Sequence, residues 1–177
     1  MNRHGFTLME ILAVLLTLAV VIVLALPGIR AMRAEVYYYR AKAAASKMAE
    51  AARSYYKDTR GREPARGQIC GRQEGCPGAS IATLAKDAVN KACSTAGLDG
   101  IPAGAIAIVD VNQLFACKYL TQKDFVGLPY RFAVGGMSMY LTEGERPLVM
   151  ATGMSGAGRY EGQKICVYRD GTIRENC

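Results

Sequence analysis

Imidazole is almost missing from this chain: the only histidine among its 177 residues is His4. Ser-His and Cys-His nucleophile pairs need an imidazole beside the attacking atom, and most zinc sites use it as a ligand. Beyond His4 the chain has no imidazole at all, so no enzyme is expected. There is no Cys-x-x-Cys pair, which argues against a zinc ribbon, and no Asp-x-Asp-x-Asp-Gly calcium loop. Asp170-Gly171 stands alone and reads as a turn. The stretch Gly153-Met154-Ser155-Gly156-Ala157-Gly158 lacks the Gly-Lys-Ser/Thr ending of a phosphate loop. It also lacks the glycine two after the serine that a nucleophile elbow needs. It reads as a flexible loop, and neither a cofactor nor a metal is expected.

Charge is missing in one place above all. From Phe6 to Leu26 the sequence FTLMEILAVLLTLAVVIVLAL has no Lys, Arg or His and is interrupted only by Thr7, Glu10 and Thr17. About 20 apolar residues suffice to span a bilayer as a helix. A cleaved secretory signal has a shorter apolar core, roughly 7–15 residues, and ends at a small-residue cleavage site. This run continues instead through Pro27-Gly28 into another helical pattern. After Arg30 the composition is that of a soluble protein, so the expectation is one membrane segment and one soluble body.

Six cysteines, Cys70, Cys76, Cys93, Cys117, Cys166 and Cys177, all lie beyond that segment. An even number in a small body suggests disulfides and an oxidising compartment, although buried free thiols stay open as an alternative. Fifteen pairings are possible for six cysteines. Cys70 and Cys76 are close enough to close a small loop, and Cys177 is placed to tie down the C-terminus. The net charge of +7 and pI near 9.2 are moderately basic, with a loose group at Arg30, Arg33, Arg40, Lys42 and Lys47. A solvated helix face is the expectation there. Acidic lipid head groups, an acidic subunit surface and nucleic acid are the other readings.

Glu10 is the conspicuous residue of the apolar run. A carboxylate at depth in a membrane helix costs about 2.5–3.5 kcal/mol on insertion scales and usually has a partner. Cutting the chain after Gly5 would create an α-amino group on Phe6. Two axially staggered subunits could then pair that amine with the neighbour's Glu10, and in hydrocarbon such a pair would set register. The alternative is that Glu10 lies at the head-group boundary and is hydrated.

Gly5-Phe6-Thr7-Leu8-Met9-Glu10, following a short leader with one arginine, resembles the prepilin signal of type IV pilins and type II secretion pseudopilins. The resemblance covers roughly the first 30 residues, and Pro27 falls where such pilins carry a helix proline. It implies cleavage between Gly5 and Phe6 by a prepilin peptidase, methylation of the new amine, and a role for Glu10 in docking. It further implies a filament built with copies of itself or other pilins on an inner-membrane assembly platform. Similar pilins unwind near such a proline inside filaments. The major pseudopilin typically has a C-terminal calcium site, for which this chain shows no loop. Charge counting alone, with Arg3 before the span and Arg30 and Arg33 after it, favours the reverse topology. The cysteines and the resemblance place the body outside the cytoplasm, in the periplasm before assembly.

Beyond Pro27-Gly28, Ile29, Met32, Val36, Tyr39 and Ala43 follow three-four spacing, and Ala45, Met48, Ala52 and Tyr55 continue on a shifted stripe. One helix from about Phe6 to Asp58 is expected, its second half offering a stripe for a sheet to cover. Thr59 to Ser80 reads as a Gly- and Arg-rich loop. Ser80 can cap a short helix ending near Gly97, and Ala105 to Val109 is too short to classify. Asp110 with Gln113 resembles a capping box for a helix through Cys117. Strands are expected at Leu128 to Val134, Met137 to Thr142, Pro147 to Thr152, Lys164 to Arg169 and Thr172 to Glu175, with turns at Gly135-Gly136 and Asp170-Gly171.

The expected fold is α+β and pilin-like, a long N-terminal helix packed on a C-terminal antiparallel sheet. Its divisions are a leader (1–5), an assembly half of the helix (6–29), a soluble half (30–58) and a globular head (59–177). The expected function is a structural filament subunit. The alternatives are a type II secretion pseudopilin, or a minor tip pilin binding a surface or DNA. Tyr37, Tyr38 and Tyr39 with Arg33 and Arg40 offer a stacking and charge surface for single-stranded DNA. Interfacial packing at the membrane exit is the commoner use of such tyrosines.

Overall fold

The computed structural model describes residues 7–58, 63–64, 67–72, 74, 76, 108–109, 111–134 and 147–177. Helix α1 runs from Leu8 to Asp58, 51 residues and therefore about 76 Å. Its span coincides with the expected one to within two residues at the start. Alanine-rich sequence around Ala41 to Ala45 favours the helix by propensity, and Pro27 lies inside it without ending it.

Among the described residues seven strands follow: β1 (Glu63–Pro64), β2 (Gly67–Cys70), β3 (Ile108–Val109), β4 (Tyr130–Val134), β5 (Val149–Gly153), β6 (Lys164–Val167) and β7 (Ile173–Glu175). A short helix, α2 (Asn112–Ala116), lies between β3 and β4. Strands β4 to β7 form an antiparallel meander, and β2 adds antiparallel to the free side of β4, giving the order β2-β4-β5-β6-β7. β1 and β3 make a separate parallel pair.

Register explains the core. Opposite residues Tyr130↔Gly153, Phe132↔Ala151 and Val134↔Val149 are all buried, while the alternating positions Arg131 and Ala133 are only half-buried. This inward face meets α1. On the helix, Ala34, Tyr38, Ala41, Ala45, Met48, Ala52 and Tyr55 recur at four-three spacing and are all buried. Alanines let the backbones approach, and Tyr38, Met48 and Tyr55 fill the remaining volume. Phe125 joins the two halves of the core, edge-on to Phe132 at 5.1 Å between ring centroids and to Phe115 at 5.9 Å.

The structure corrects several expectations. The stretch Thr59 to Ser80 is not simply a loop: it contains β1 and β2, with Ile69 and Cys70 fully buried at the sheet edge. Gly71 makes that docking possible. Its N–H donates to the carbonyl of Tyr130 at 3.0 Å, and a Cβ there would run into the backbone carbonyls of Phe125 and Leu128. α2 exists where expected, with its N-cap at Val111, whose hydrocarbon side chain has no acceptor to offer; Asp110 of the expected capping box lies outside the described residues. The apolar run at Ala105 to Val109 contributes β3. The Asp170-Gly171 turn is present, with Gly171 at φ +92° and Thr172 N–H donating to Asp170 Oδ1 at 2.9 Å. The Ser80 helix, the Met137 to Thr142 strand and its Gly135-Gly136 turn lie outside the described residues. Both sides of β4 are taken by β2 and β5.

The supposed flexible loop at Gly153 to Gly158 is a tight turn docked on α1. Ala157 is fully buried, and a short 3-10 turn over Gly158–Tyr160 follows.

Candidate assembly surface on the long helix

From Thr7 to Arg33 no residue of α1 or its N-terminal flank is shielded by the head. The stretch is long and apolar enough to cross a membrane by length and composition. Beyond it the helix has two apolar faces, and only one is covered. The head covers the Ala34 to Tyr55 stripe. Ile29, Met32, Val36 and Tyr39 stay 47%, 71%, 55% and 65% exposed, and Ala43 is exposed too. At roughly 100° per residue the two stripes lie on nearly opposite sides of the helix. This corrects the reading of Ala45, Met48, Ala52 and Tyr55 as a continuation of the Ile29 stripe: those four meet the sheet, and Ile29, Met32, Val36, Tyr39 and Ala43 face away from it.

Glu10 has a partner that a search for cations misses. Its Oε2 accepts from the backbone N–H of Thr7 at 2.8 Å and from the Thr7 hydroxyl at 3.0 Å. The N–H of Glu10 lies 3.4 Å from Thr7 Oγ1 and 3.1 Å from the Thr7 carbonyl. These are the reciprocal bonds of a capping box, and the signature was legible as Thr7-Leu8-Met9-Glu10. The carboxylate is thus satisfied at the positive end of its own helix. Gly5 and Phe6 lie outside the described residues. Pro27 sits within α1, and neighbouring Gly28 has open space around it, so no close approach requires glycine there.

At the level where α1 enters the head, a polar latch closes on it. Tyr38 stacks on Tyr160 with ring centroids 4.3 Å apart, and its hydroxyl donates to Glu175 in β7. Burial, followed by that bond, raises the Tyr38 phenol well above its ordinary value. Tyr160 donates to Glu35 at 2.7 Å, Arg159 pairs with Glu35, and Lys42 lies 3.6 Å from Glu175. Tyr37 packs under the Arg72 guanidinium and accepts from it at 3.2 Å. Of the three consecutive tyrosines, only Tyr39 is exposed. Tyr37 and Tyr38 belong to the helix–head contact.

Two disulfides link described cysteines: Cys70–Cys76, six residues apart, and Cys166–Cys177, eleven apart. Cys117 is also disulfide-bonded, and Cys93 lies outside the described residues. The first bridge fixes the end of β2; the second ties the chain end beyond β7 back to β6. Such bonds belong to an oxidising compartment outside the cytoplasm.

Comparison with protein-family models, with curated proteins and with solved structures finds no match for this chain. The chain has a pilin-like architecture: a long, apolar N-terminal helix whose second half packs on an antiparallel sheet.

Proposed function

We propose that this chain is a structural subunit of a type IV pilus or pilus-like filament, inserted in the membrane through α1 and assembled by helix–helix packing after leader removal. One observation carries the reading. Exposed apolar side chains line α1 from Leu8 through Ile29, Met32 and Val36 to Tyr39, and past Ala34 they lie on the side of α1 opposite the head. A plain membrane anchor needs no apolar stripe beyond the bilayer. A subunit that packs its helix against others does, because exposed apolar patches of this size mark interaction surfaces. Prepilin peptidase and an assembly platform follow as partners from the same reading, as does a pseudopilus as the alternative machine.

Within this reading Glu10 exchanges its bond to Thr7 for the α-amine of an adjacent processed subunit. Replacing Glu10 by Val tests the exchange: the chain still inserts in the membrane, and its incorporation into filaments falls at least tenfold. Normal incorporation of the variant refutes the pairing.

A further inference from the structure

We propose that the neck of α1, Pro27 to Arg33, binds the phosphate of an anionic phospholipid through Arg30 and Arg33. The inference rests on the membrane reading of the first half of α1. If Leu26 marks the end of the hydrocarbon layer, the neck is seven residues long, about 10 Å. The polar layer on each side of a bilayer is roughly 5–8 Å deep, so the neck crosses it completely: Arg30 lies within it, and Arg33, just above, reaches back toward it because helix side chains tilt toward the N-terminus. Just above, the head begins: Ala34 is the first buried residue of α1, a Cβ on Gly158 would come within 3.0 Å of its Cβ, and Arg159 pairs with Glu35. The head therefore sits directly over the head groups.

Arg30 and Arg33 are the only charged residues in the neck, both exposed and neither in an ion pair among the described residues. Three apart on a helix, they are neighbours of like sign and repel each other unless an anion lies between them. Glu35, the nearest acid along the helix, is engaged by Arg159 and Tyr160. Guanidinium groups bind phosphate oxygens in bidentate fashion, and the bilayer supplies phosphates at this depth. The pair also lies on the side of the membrane that the positive-inside tendency disfavours, and an anionic lipid offsets that cost.

The test uses the full chain reconstituted in vesicles of phosphatidylcholine with about one-third phosphatidylglycerol, an anionic surface of the kind that attracts juxtamembrane basic residues. After flotation and mild extraction, native mass spectrometry counts the lipids retained on the protein. The ratio of phosphatidylglycerol to phosphatidylcholine among the retained lipids is expected to exceed the bulk ratio roughly tenfold, and R30Q/R33Q to return it to the bulk ratio with the disulfides intact. Retention of the two lipids in their bulk ratio overturns the inference, as does full displacement by millimolar inorganic phosphate, which marks a free-anion site. Failure of the wild-type chain to float with the vesicles overturns the membrane reading beneath it, a distinguishable result.

Discussion

From Leu8 to Arg33 the helix presents every side chain to its surroundings, whereas from Ala34 to Tyr55 it buries a residue every three or four positions. The two halves are continuous in backbone and opposite in design. In the first, bulky Leu, Ile and Val point in all directions, which suits lipid or a bundle of equal neighbours. In the second, alanine dominates the covered face, so that a sheet can lie close, and the polar and aromatic residues of the latch fix the approach. Hydrophobicity alone does not mark the core of this molecule. The most apolar stretch is the barest, and the buried stripe is made largely of alanine.

The contrast breaks most sharply by truncating one residue on each face. Met48 is fully buried among the sheet residues, and Met48→Ala is expected to cost the head about 2–5 kcal/mol, read as a lowered denaturant midpoint. Val36→Asp, on the uncovered face, is expected to leave that midpoint within about 0.5 kcal/mol while abolishing filament incorporation. A Val36→Asp chain that still enters filaments would show that the bare stripe is not a packing surface.

Next in size is the Cys166–Cys177 bridge. Without it β7 is held to β6 by a three-residue ladder and to α1 by Glu175. Replacing both cysteines by serine is expected to destabilise the head by about 2–3 kcal/mol, from the loop-closure entropy returned to the unfolded chain. Its effect should appear in the unfolding midpoint and not in membrane insertion, which depends on the other half of the helix.

Much of this division was legible in the residues. The helix end at Asp58, the strands at β4, β5, β6 and β7, and the Asp170-Gly171 turn all follow from periodicity and turn chemistry. The Cys70–Cys76 and Cys166–Cys177 bridges agree with proximity along the chain. Three features were not legible, each for a physical reason. β2 carries a single large apolar side chain, Ile69, in Gly- and Arg-rich surroundings; its stability comes from pairing with β4 and from the absence of a Cβ on Gly71. Three-four spacing reveals that a face is apolar but not what meets it, so Ile29 to Ala43 and Ala45 to Tyr55 were indistinguishable as core. The partner of Glu10 is a backbone N–H and a hydroxyl within its own first turn, which a search for positive charges passes over.

The smallest effect sharpens the boundary at the far end of α1. Tyr119 donates to Asp58 at 2.6 Å, joining the last residue of the helix to the segment after α2. The bond to the Asp58 carboxylate, with some burial, pushes the Tyr119 phenol up to about 12, and burial does the same for Tyr130. Both values lie above the ordinary tyrosine value of about 10, so the folded head holds these protons more tightly than the unfolded chain does. Their contribution is complete below about pH 10 and is lost as pH rises toward 12. These two groups therefore leave the denaturant midpoint of the head unchanged just below that window and make it fall within it. Tyr119→Phe is expected to cost about 1 kcal/mol at neutral pH, since one hydrogen bond is lost, and to make the alkaline fall shallower. An unchanged alkaline fall in this variant would mean that the helix end is held by packing of Tyr55 against ring 119, 5.7 Å between centroids, and not by the bond to Asp58.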